Sequence, residues 1–145
     1  MTLQLGEYLL SIGLTQTARG RVDQIHAFYR EVCPDDITGV FVTDFVTEEG
    51  LREYQNLWFF SDRFCMEATQ FMSRDWFDMA LLKNAVVRWA IKKQNYDFEQ
   101  ARETSRLHIE VGLLHNVSGS FSASRENCDY LRDVLLRHIV PNMRS

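Results

Sequence analysis

With 145 residues, 46% of them hydrophobic and 12% aromatic, the chain is sized for one globular domain. Such a domain buries about two thirds of its unfolded surface and needs no disulfide or metal staple. The net charge of −4 is lopsided, with 3 basic and 8 acidic side chains in residues 1–50 against 13 and 12 in residues 51–145. An acidic chain without a long basic stripe is a poor nucleic-acid binder, because phosphate neutralisation supplies most non-specific affinity.

No apolar run approaches the roughly 18 residues of a transmembrane segment. The start Met1-Thr2-Leu3 lacks a basic stretch followed by an apolar one, so the expectation is a cytoplasmic protein without a signal peptide. Cys33, Cys65 and Cys128 are odd in number and far apart, which suits buried thiols rather than a disulfide framework or a zinc site. No cofactor is expected.

Leu5, Tyr8, Leu9 and Ile12 recur at helical spacing, with Gly13 as a stop. A short Thr/Gln-rich link follows. Ile25, Phe28, Tyr29 and Val32 repeat the helical spacing until Pro34. Both helices are expected to lay their apolar faces over one end of a sheet, or alternatively to form a dimer contact.

From Ile37 the period becomes 2. Ile37–Val46 reads as a first strand with Gly39 as a bulge, and Glu53–Ser61 as the second. Ser61-Asp62-Arg63 turns the chain tightly into a third strand, Phe64–Met72. Ser73-Arg74-Asp75 leads into Trp76–Leu82 as a fourth, and Ala85–Tyr96 is a strand by its alternation of Val87, Trp89 and Ile91 with Arg88, Lys92 and Gln94. Glu99–Thr104 reads as a loop, Ser105–Leu114 as the sixth strand and Ser120–Ser124 as the seventh. A helix closes the chain, with Ser124 or Asn127 as N-cap, a stripe of Tyr130, Leu131, Val134, Leu135, His138 and Ile139, and Pro141 as the stop.

Seven short strands and one amphipathic helix predict an α+β fold, an antiparallel barrel or sandwich closed by its C-terminal helix. The order resembles a pleckstrin-homology-like domain of the bacterial or GRAM type. The matching residues are Leu57-Trp58-Phe59-Phe60-Ser61-Asp62-Arg63-Phe64 at the hairpin, Ser105–Ile109 in the sixth strand and Asn127–Ile139 in the helix. On that resemblance residues 1–34 form a helical segment and residues 35–145 the barrel with its capping helix, within a single domain 1–145. It implies a non-enzymatic module that binds a protein or peptide, or a second copy of itself. Phosphoinositide binding is disfavoured, because the first loop, Val46-Thr47-Glu48-Glu49-Gly50, is acidic where a phosphate needs cations.

Alternation puts Tyr54, Trp58 and Phe60 on one strand face. This set is covered either by the N-terminal helices or by a partner, and with Arg88 and Lys92 it makes the candidate interaction surface. Trp89 is expected to point into the core. His108-x-Glu110 reads as a solvated strand face, since the P-C-x-x-C segment of zinc deaminases is missing. His26, His115 and His138 lack metal-ligand spacing, and no catalytic residue is assigned. The alternative is a small cone-shaped enzyme or ligand-binding protein, with Tyr8, His26, Tyr29, Asp44 and His108 lining an apolar cavity.

Overall fold

Helix α1 spans Leu5–Ser11 and buries Tyr8 and Leu9, and Gly13 ends it with a φ of 82° that glycine adopts freely. The computed structural model describes residues 5–33, 35–72, 78–83, 85–94, 106–113 and 117–143. Helix α2 is longer than its apolar spacing predicts, running over Gln16–Val32. Thr15, read as part of a link, is its N-cap and accepts a hydrogen bond from the Ala18 N–H at 3.2 Å. The buried stripe is Ala18, Val22, Ile25 and Tyr29, while Phe28 and Val32 face out. The expected apolar face was therefore rotated by part of a turn.

The strands form two antiparallel sheets. In the first, β1 (Gly39–Val46), β2 (Arg52–Phe60), β3 (Phe64–Thr69) and β4 (Asp78–Lys83) lie in chain order. In the second, β5 (Val86–Gln94), β6 (Arg106–Leu113) and β7 (Ser118–Ser124) do the same. The expected Trp76 start of β4, the Ser73–Asp75 turn, the Glu99–Thr104 loop and His115 lie outside the described residues. Among the described residues the sheets do not close into a barrel, which corrects that part of the expectation.

The Ser61–Phe64 hairpin forms where it was read, with the Ser61 N–H donating to the Phe64 carbonyl at 2.9 Å. No bulge falls at Gly39. The register shifts between Val42 and Asp44 instead, and the extra residue lies on β2, between Tyr54 and Leu57. Gly39 is small for another reason: a Cβ there would lie 2.2 Å from Nε2 of His138.

Helix α3 covers Asn127–Val134 and runs on as a π-helical turn, Leu135–Ile139, and a 3-10 turn, Val140–Asn142. It buries Cys128, Leu131, Val134, Leu135 and Ile139. Neither expected N-cap caps it: Glu126 holds that position without a side-chain cap, and Asn127 is turned inward.

Candidate functional site

A buried polar clasp joins the two sheets and the terminal helices. The Asp44 carboxylate, fully buried on β1, accepts four hydrogen bonds: from Arg52 Nε at 2.9 Å, Ser124 N at 3.0 Å, Asn127 Nδ2 at 2.7 Å and the Ser124 hydroxyl. Asn127 Nδ2 also donates to the Val42 carbonyl at 2.8 Å, and its Oδ1 accepts from the Tyr8 hydroxyl at 2.8 Å. That hydroxyl accepts in turn from the Val42 N–H at 2.9 Å. Burial works against the Arg52 charge, but the hydrogen bond to Glu126 and the Asp44 carboxylate outweigh it and hold its pKa above the usual value. Four acceptances use all the lone-pair capacity of a carboxylate. Asp44 is thus a structural pin, without spare capacity to act as a base.

Tyr54 belongs to the same clasp. Its hydroxyl donates to the Ile12 carbonyl at the end of α1, and the Arg52 guanidinium lies 5.3 Å from its ring centroid. Trp58 and Phe60 depart from the expected surface altogether, at 0% and 2% exposure. Trp58 packs 4.5 Å from Phe121 on β7 and 6.3 Å from Phe60, whose ring stacks on His138 at 4.7 Å. Helix α2 covers the opposite face, where His26 and Tyr29 meet Phe59 edge-on at 5.7 and 5.6 Å. Both faces of β2 are covered from within the chain.

Of the expected surface residues, Arg88 and Lys92 remain exposed, both on β5. Trp89 is not in the core as expected: it is 37% exposed. Burial along one sheet row explains it, falling from Phe121 on β7 (1%) and Ile109 on β6 (0%) to Ile91 on β5 (47%). β5 is the outermost strand, two strands from the Ser124 end of β7 that Asp44 pins to β1. Trp89 and Ile91 therefore form an exposed apolar strip, and Val87, the extra residue of the bulge between Val86 and Arg88, is exposed beside it. Among the described residues β5 pairs with β6 along one edge, and its other edge meets only an isolated parallel bridge, Val86 with Met143.

The polar groups of the cavity alternative are dispersed. Tyr8 and Asp44 sit in the clasp. Tyr29 donates to the Asp35 carbonyl at 3.2 Å and accepts from the Cys33 thiol at 3.3 Å, beside a cavity of about 110 Å³ that His26 also lines. Burial pushes the Tyr29 hydroxyl up to about 12. His108 lies on the outer face of β6, 3.4 Å from Glu110 and 3.3 Å from Ser120. Cys33, Cys65 and Cys128 are buried free thiols, and burial raises Cys65 to about 12. Among the described residues no three His, Cys, Asp or Glu side chains are grouped to hold a metal ion, and no helix is long and apolar enough to cross a membrane.

His138, beside an open cleft of about 450 Å³, carries a pH dependence. Burial lowers its pKa from 6.5 and Arg137 lowers it further, against Asp133 and Asp62. The unfolded chain then binds the proton more tightly, so stability is full above pH 6.5 and falls as pH drops from there toward the folded pKa. His138→Gln is expected to flatten urea-unfolding midpoints measured on either side of that value. A residual slope is left to His26, which burial and then Arg30 also lower, against Asp23. An undiminished slope in the variant would remove His138 as the cause.

No family model matches this chain, and no curated protein and no solved structure matches it.

Proposed function

We propose that this protein is a non-enzymatic, pleckstrin-homology-like interaction module that receives an extended segment of a protein partner along the free edge of β5. The observation that carries the reading is this edge strand, open beyond Val86 among the described residues, with Val87, Trp89 and Ile91 exposed beside it. An unpaired edge offers a row of backbone donors and acceptors, and strand addition satisfies them while alternate side chains confer selectivity. The isolated bridge from Met143 is a short instance of that pairing by the chain itself. Four strands followed by three, in chain order, with a helix at the C-terminus, support the pleckstrin-homology-like likeness. The saturation of Asp44 supports a non-enzymatic role.

The test is selection of peptides from a random displayed library, followed by amide chemical-shift mapping of the enriched sequences. Binders are expected to perturb Val87–Lys92 and to lose affinity for an Ile91→Pro variant, which removes one edge N–H, since Ala90 bonds inward to Glu110. Enriched peptides that perturb only other surfaces, or bind Ile91→Pro unchanged, would reject the edge.

A further inference from the structure

We infer that the segment received by β5 alternates acidic with apolar residues, and that it is not a second copy of β5. The inference rests on the edge reading above and adds the chemistry of the occupant. β5 carries Arg88, Lys92 and Lys93 and no acid. Arg88 and Lys92 are both exposed, and among the described residues neither makes an ion pair. Their pairings carry the charge inward across the sheet. Lys92 lies opposite His108, which lies opposite Ser122, and these three with Arg106 line a depression of about 300 Å³. Among the described residues the acids here are Glu110, beside His108, and Asp44, which lines the depression but is saturated by its own clasp bonds.

Arg88 is held in place by its neighbour on β6. A Cβ built on Gly112 would lie 3.0 Å from Arg88 Cγ, so the bare glycine provides the bed for the arginine stem. A pre-positioned guanidinium loses less side-chain freedom on meeting a carboxylate. The other face of β5 presents Trp89 and Ile91, which an apolar side chain of the incoming strand would cover. Period 2 then dictates the partner: acid toward Arg88 and Lys92, apolar toward Trp89 and Ile91.

The same charges argue against self-pairing. An antiparallel β5 pair with its two-fold axis at Ala90 sets Arg88 of each copy opposite Lys92 of the other. Sliding the register by two residues finds no acid on the strand to relieve this. Directly opposed like charges destabilise a ladder.

The experiment uses the full chain and two short labelled peptides, one alternating valine with glutamate and one alternating valine with lysine, titrated by fluorescence anisotropy. At low ionic strength the glutamate peptide is expected to bind about tenfold more tightly, from two cross-strand charge pairs. That preference should shrink as salt is raised and reverse in the Arg88→Glu/Lys92→Glu variant. The salt series on the wild type gives the same answer should the variant fold poorly. Equal binding of both peptides, with shifts mapped to β5, would overturn the acidic preference and leave the edge reading standing. Binding of neither peptide, and of no library peptide at β5, would overturn both. Sedimentation of the wild type with anionic phospholipid vesicles, lost in the double variant, would overturn the inference by assigning the charge to a lipid surface. Self-association abolished by the same substitutions would overturn it in favour of a second copy.

Discussion

Replacing Asp44 by alanine is expected to lower the unfolding free energy by about 3–5 kcal/mol, a large part of the stability of a domain this size. The cost does not lie in the salt bridge alone. Arg52, with its side chain 11% exposed, would keep its charge but lose its buried counter-ion. The Ser124 N–H and hydroxyl would lose their acceptor, as would the Asn127 amide for one of its two bonds. Each buried donor left unpaired costs about 1–3 kcal/mol. Asp44→Asn is expected to cost nearly as much, because an amide oxygen cannot accept four hydrogen bonds. Glu126→Gln should cost about 1 kcal/mol or less, since its partner bond lies at a side chain 30% exposed. Denaturant unfolding of the three variants checks the order, and an Asp44→Ala loss below that of Glu126→Gln would show that the clasp is not what holds the sheets together.

The hairpin at Ser61–Phe64 was legible because two apolar runs and a polar turn are local signals, and the strand-to-helix order followed from changes of period. The clasp was not, since its members are remote: Tyr8 meets Asn127 across 119 positions and Asp44 meets Ser124 across 80. A single trace existed in the acid interrupting the apolar strand Val40–Val46, which local reasoning assigned to a pocket. Thr15 was missed as a cap because its helix begins with polar residues and shows no apolar period in its first turn. The free edge of β5 followed Arg88 and Lys92, correctly read as outward, but Trp89 was read as inward. Alternation gives the face of a sheet on which a side chain lies. It does not say whether anything covers that face at the outermost strand.

Trp58→Ala is expected to cost about 3–5 kcal/mol, the range for emptying a large aromatic from a close-packed core. A surface aromatic in the role first expected for it would cost within about 0.5 kcal/mol. Its surroundings leave little room for collapse. The indole packs in a triangle with Phe60 and Phe121, and a Cβ on Gly119 would lie 3.1 Å from it, so β7 already approaches as closely as its backbone allows. Four consecutive apolar residues, Leu57 to Phe60, are what a strand covered on both faces requires, with α2 on one side and β7 with the C-terminal helix on the other. Trp58→Phe should lose less, because it keeps an aromatic ring in the gap and removes the indole Nε1, which has no hydrogen-bond partner among the described residues. Trp58→Ala should lower the thermal midpoint and leave the relative affinity for acidic and basic strands unchanged under conditions where it is folded. Arg88→Glu/Lys92→Glu should do the reverse, shifting specificity at an almost constant midpoint. Measured side by side, the two variants separate the residues that build the sheet junction from those that meet a partner. A Trp58→Ala protein of wild-type stability that had lost peptide binding would return Trp58 to the interaction surface.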